Sequence, residues 1–171
     1  MMTILAIPFD NSSTDLKGHN VGDERFDQTT GKWYKLQKLD TDLTGDTTAA
    51  GQVALVAGTA GQVTQKVANG IDATNPVAAG VFAGACAESA SASAYNYAWV
   101  QIAGPCTVNK DGNSIAVGDV IQADASTAGG CKALADATAV TGAILKASMG
   151  IALAGALAGD ATVSANLRFL R

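Results

Sequence analysis

The run Thr162-Val163-Ser164-Ala165-Asn166-Leu167-Arg168-Phe169 decides the fold. Val163, Ala165, Leu167 and Phe169 fall on one side of an extended chain, and Thr162, Ser164, Asn166 and Arg168 fall on the other. This is the two-residue period of a strand with one buried face. Working outward, weaker versions of the signal recur: Lys32 to Leu39 interleaves apolar and polar residues, while Val53–Val56 and Val63–Val67 are short and bounded by Gly51, Gly61 and Asn69-Gly70. Val77–Ala85, Tyr97–Ile102 and Cys106–Val108 follow, and Asp111-Gly112 supplies a hairpin-type turn before Val120–Ala123. The spacing predicts a mainly β chain: a compact β-sandwich or β-barrel-like body from residue 32 to 171, an extended N-terminal arm over 1–31, and at most one short helix. Ala133 to Lys146 is the helical candidate, interrupted by Thr138, Val140, Thr141 and Gly142; Ala85 to Ala94, with serines alternating among its alanines, reads equally as a loop.

One internal echo stands out. Ala50-Gly51-Gln52-Val53-Ala54-Leu55-Val56 is similar to Val117-Gly118-Asp119-Val120-Ile121-Gln122-Ala123, a Gly-led turn that begins a strand. It occurs once, at a spacing of about 67 residues, which excludes a solenoid of short repeats. The composition explains why such strands gain little alone: of 171 residues 34 are Ala and 19 Gly, against four Phe, two Trp and three Tyr. A core of small side chains buries little area per residue, so association with other copies or a larger surface is expected to add burial.

Net charge is -4, with no basic footprint for a phosphate backbone, and no nucleic-acid partner is expected. The Met1–Pro8 start has no basic n-region and too short an apolar stretch for a signal peptide. Ala139–Ala158 is the most membrane-like window, but it carries Lys146 and three Gly and reads as a buried strand and turn, so no membrane partner is expected. Cys86, Cys106 and Cys131 are far apart and lack C-x-x-C spacing. They read as small buried hydrophobes, with one disulfide as the alternative.

Chemistry-bearing patterns are missing. Gly31-Lys32-Trp33 lacks the hydroxyl residue and upstream Gly of a P-loop, and there is no G-x-G-x-x-G or G-x-S-x-G. Asp40-Thr41-Asp42-Leu43-Thr44-Gly45 imitates the start of an EF-hand loop, yet Gly51 stands where a bidentate Glu is needed. His19 is the sole histidine and lies in the polar arm, where a catalytic triad would have no anchored base. Neither catalytic residues, a metal site nor a cofactor is expected.

Trp33-Tyr34-Lys35-Leu36, Gly51–Val56, Ala78–Gly84, Tyr97–Gly104, Ala116–Val120 and Met149–Ala154 together resemble the small capsid decoration, or cement, proteins of tailed bacteriophages. The resemblance covers about residues 32–170. It implies a β-rich, often trimeric protein, made in the bacterial host cytoplasm and placed on the outer capsid surface of the virion, where it bridges neighbouring copies of the major capsid protein and stabilises the head. A tail accessory or glycan-binding β-module is the rival reading, with Trp33, Tyr34, Tyr95, Tyr97 and Trp99 as the aromatic residues available to stack on sugars. The arm matches no motif, but Ile4, Leu5, Ile7, Phe9, Leu16, Val21 and Phe26 are spaced along it by polar residues. They cannot form a core of their own and are expected to be interface anchors docking on another chain, either a neighbouring subunit of a homotrimer or the capsid.

Overall fold

In the computed structural model, which describes residues 18–39, 47–56, 62–64, 76–87, 97–124, 126–134 and 148–169, the alternating run at the C-terminus is a strand with strictly alternating burial. In chain order the strands are β1 Glu24–Asp27, β2 Lys32–Leu39, β3 Thr47–Thr48, β4 Val53–Val56, β5 Gln62–Thr64 and β6 Ala78–Phe82. They continue with β7 Cys86–Ala87, β8 Tyr97–Asn109, β9 Val120–Ala123, β10 Cys131–Ala133, β11 Ser148–Ala152 and β12 Thr162–Arg168. No helix occurs among the described residues, and most of the helical candidate Ala133–Lys146 lies outside them. The fold is mainly β, as the alternation predicts.

The strand pairings close on themselves twice. β2 pairs with β5 in parallel, β5 with β4, β4 with β6, β6 with β8 and β8 with β2, a five-stranded ring. The second half of β8 pairs with β12, β12 with β11, β11 with β9 and β9 with β10, and a parallel bridge from Lys110 to Cys131 returns to the end of β8. Closure leaves few free strand edges.

These two barrels are the same unit used twice. Val53 faces Val81 and Ala54 faces Gly80 in the first; Val120 faces Ile151 and Ile121 faces Gly150 in the second. Both ladders then shift register, skipping Ala79 in one and Met149 in the other. β2 in the first barrel takes the place that the second half of β8 takes in the second. Leu39 beside Val63 therefore corresponds to Lys110 beside Cys131.

β8 serves both barrels because it bends. A register shift against β2 skips Ile102, and Gly104 follows with φ +92°, a conformation that L side chains resist. A Cβ there would lie inside van der Waals contact of the Gly31 carbonyl oxygen. Buried Gln101 secures the bend, its Nε2 donating to the carbonyls of Ala103, Gly104 and Pro105 at 3.2, 3.3 and 2.9 Å.

The interiors follow the same plan with different packing. Leu39, Ala54, Val63, Phe82, Ala98 and Val100, drawn from all five strands, fill the first barrel. Their counterparts in the second are Lys110, Ile121, Cys131, Ala152, Val163 and Ala165, so the bulky residue sits on β6 in one barrel and on β9 in the other. Lys110 is buried, and its Nζ donates to the carbonyls of Asp111 at 2.7 Å and Asp160 at 3.1 Å. These bonds satisfy a cation where the first barrel has leucine.

Three expectations change. Tyr97–Ile102 and Cys106–Val108 are one strand, β8. Asp111-Gly112 does turn the chain, with the Asp111 carboxylate accepting the Asn113 amide at 3.0 Å, but it joins no hairpin, because β8 pairs with β12 and β9 with β11 and β10. The segment read as an extended arm contains β1, which pairs with β2 from Glu24↔Lys35 to Asp27↔Lys32, so the sheet begins at Glu24 and not at Lys32. Alternation is weak there because β1 is exposed on both faces except at Asp27.

Candidate interaction surface

One kind of turn starts several of these strands. In Asn20–Asp23, Ala49–Gln52, Ala116–Asp119 and Leu157–Asp160 the fourth residue's amide donates to the first residue's carbonyl at 3.0–3.2 Å. Its side-chain oxygen accepts the first residue's amide at 2.7–3.0 Å. Gly22, Gly51 and Gly118 occupy the third position with φ of +94°, +86° and +88°, as a type II turn requires. The side chain satisfies a backbone donor that the turn exposes. The echo seen in the sequence is two of these four turns.

The turn at Ala116–Asp119 and the one at Leu157–Asp160 lie side by side, tied by reciprocal bonds between Ile115 and Ala156 at 2.9 and 2.8 Å. On this rigid scaffold five large aliphatic side chains are exposed: Val117 at 68%, Val120 at 38%, Ile151 at 50%, Leu153 at 54% and Leu157 at 74%. Val120 and Ile151 are directly opposed across the β9–β11 ladder. Ala139–Ala158 was expected to be a buried strand and turn; in β11 Met149, Gly150 and Ala152 are buried, but Ile151, and beyond the strand Leu153 and Leu157, face outward. The sequence hides this surface because outward aliphatic residues look like core residues until the strand faces are assigned.

The expected arm anchors divide. Ile4, Leu5, Ile7, Phe9 and Leu16 lie outside the described residues. Val21 and Phe26 are within them, each 44% exposed, Val21 in the turn before β1 and Phe26 in β1 itself. Val21 is the tip of the first turn, and Phe26 stacks on Trp33 with ring centroids 4.9 Å apart. That contact covers one face of the only exposed tryptophan.

The other aromatic candidates for sugar stacking are mostly internal. Tyr34, Leu36 and Trp99 form a buried cluster with Tyr97 packed against it, while Tyr95 lies outside the described residues. Residues 19–23 cover this cluster. The Gly22 amide donates to the Leu36 carbonyl and the Leu36 amide to the Asp23 carbonyl, at 2.7 and 2.9 Å. The His19 ring meets Trp99 edge-on at 5.5 Å. His19 is thus anchored, contrary to its reading as a loose residue, with Arg25 Nη2 3.1 Å from its Nδ1.

Reactive groups are muted. Cys106 and Cys131 are free thiols. Burial pushes Cys106 up to about 11 and Cys131 up to about 12, so both stay protonated and weakly nucleophilic. Burial favours protonation of Asp124, but hydrogen bonds from Ser126 and Lys132 overcome it and hold the carboxyl at about 2. Its oxygens accept from Ser126 Oγ at 2.6 Å and lie 3.1 Å from Lys132 Nζ. Asp124 thereby fastens the β9–β10 turn. Among the described residues no three His, Cys, Asp or Glu side chains converge as a metal site; Asp40–Gly45 lies outside them.

No family model matches the sequence, and no curated protein matches it. Among solved structures, the chain is similar to the head fiber gp8.5 N base in bacteriophage phi29, with 13% identity and a TM-score of 0.47 over 81% of this chain and 98% of that one.

Proposed function

We propose that this chain is a non-enzymatic structural protein of a tailed bacteriophage, held on the outer capsid surface as a homotrimer, where it cements neighbouring major capsid proteins and stabilises the head. The observation that carries the reading is the set of outward aliphatic side chains Val117, Val120, Ile151, Leu153 and Leu157 on the paired strands β9 and β11 and their hydrogen-bonded turns. Exposed apolar surface on a rigid scaffold marks a site of protein contact. The sequence resemblance to decoration proteins names the partner. The glycan-binding alternative loses support because Trp99 and Tyr34 are buried and Trp33 is stacked on Phe26.

The N-terminal anchors Ile4, Leu5, Ile7, Phe9 and Leu16 add to this reading as a segment that docks on a neighbouring subunit or on the shell, with burial at the contact offsetting the entropy of ordering it. Heads stripped of this protein and then resupplied with it test the function. Restored surface knobs in negative stain and a raised temperature of DNA release are the expected result. Heads that bind none of the added protein overturn it. A chain lacking residues 1–17 is expected to bind heads more weakly while keeping its own melting temperature.

A further inference from the structure

Because the chain contains the same barrel twice, one copy shows what the other's surface does. In the first barrel the outward residues of β4 and β6, namely Val53, Leu55, Ala78 and Val81, are all buried in one continuous cluster with the second barrel's residues. Val53 is 0% and Val81 1% exposed. Their counterparts in the second barrel are Val120 and Ile151, exposed at 38% and 50%. The first barrel's face is covered by a neighbouring barrel, and among the described residues the same face of the second has none against it.

The complementary surface is also present twice. Where the second barrel meets the first, the β9–β10 turn lies against the start of β4: the Val53 amide donates to the Gly129 carbonyl at 2.7 Å, and Gly129 leaves no room for a Cβ beside Gln52. At that end of β9, Ala123 is 1% exposed. Its counterpart in the first barrel is Val56, at the end of β4, which is 40% exposed, with no barrel over it among the described residues. Val56 lies beside exposed Val77, to which it is tied by a 2.9 Å backbone bond.

We infer that the Val120–Ile151 face of one copy docks on the Val56–Val77 end of a second copy of this chain, repeating between molecules the contact that joins the two barrels within one. Leu153, Leu157 and Val117 widen the donor face. The two patches differ, so the contact is heterologous, and successive copies form a ring where the rotation closes. A three-membered ring satisfies the proposed trimer, but the contact itself does not depend on capsid binding.

The test uses the full chain without heads, so a failure of the capsid reading leaves its outcome untouched. Light scattering and sedimentation of the wild type are expected to show concentration-dependent association. Ile151→Asp, Leu157→Asp and Val56→Asp each are expected to weaken it at least about tenfold, an aspartate in an apolar contact being left unpaired, while melting temperatures stay within a few degrees. Two exposed positions on one face guard against a misfolded variant. Mixing Ile151→Asp with Val56→Asp protein is decisive: each mixed pair keeps one intact face and one intact end, so dimers are expected to reappear. A monomeric wild type overturns the inference, as does unaltered association of the variants. Failure of the mixture to associate, with both variants folded, also overturns it.

Discussion

Phe82→Ala tests whether the first barrel is a closed, filled interior. Phe82 is the largest fully buried side chain among the described residues, and its neighbours Leu39, Ala54, Val63, Ala98 and Val100 come from the four other strands of the ring. A ring held by hydrogen bonds on all sides cannot collapse into the space that truncation leaves, so the cost is expected to be about 3–5 kcal/mol. At the usual sensitivity for a chain of this length, that is a fall in melting temperature of about 6–20 °C. The second barrel suggests the repair. It carries Ile121 at the position of Ala54 and Ala152 at the position of Phe82, so Ala54→Ile in the Phe82→Ala background returns bulk from the neighbouring strand. Ala54→Ile alone should overpack the barrel by about 1–3 kcal/mol, whereas in the double variant it should recover about 1–2 kcal/mol, a favourable coupling read from a double-mutant cycle in urea. If the two losses simply add, the two interiors are not equivalent and the reasoning fails.

Other expectations follow from single sites. Asp124 is held below its unfolded pKa, so its stabilising contribution is complete above about pH 4 and is lost as pH falls through about 2; Asp124→Asn should cost about 2 kcal/mol at pH 7 in urea unfolding, with the two proteins converging near pH 2. Gly80→Ala and Gly150→Ala, at matched positions where a Cβ would press on the Gln101 and Asn166 carbonyl oxygens, should each lower stability by about 1–3 kcal/mol; a neutral result at either position argues against the matched registers. Deleting residues 1–30, unlike 1–17, removes β1 and the His19 cover over Trp99, and should shift tryptophan fluorescence to longer wavelength. Cys131, 0% exposed with its thiol pushed up to about 12, should react with a thiol reagent at the rate of unfolding; rapid labelling of the native protein would contradict its placement.

Most individual strands could be read from the chain because they depend on neighbours in sequence. Thr162–Arg168, Val120–Ala123 and Lys32–Leu39 carry their alternation or their Gly-led start locally, and the structure places β12, β9 and β2 there. Strands without such a signal escaped: β1, exposed on most of its length, β10, three residues long, and the two-residue pair β3 and β7. The echo between residues 50–56 and 117–123 marked the doubled unit, but it gave no hint that the match extends to β2, β6, β8 and their partners. The conserved quantity there is backbone register, and registers tolerate Phe82 for Ala152 or Leu39 for Lys110.

Composition and period by themselves determined that this chain is mainly β, thinly cored and weakly charged, because side-chain size and two-residue alternation are properties of the chain itself. Only the tertiary structure decided which aliphatic residues are core and which are surface. Val53 and Val120 begin equivalent strands in similar sequence, yet one is sealed and the other exposed, because a barrel lies against the first and, among the described residues, none lies against the second. Burial is a property of what packs on a face, and that is fixed by strand pairing across more than fifty residues of chain, beyond the reach of any local pattern.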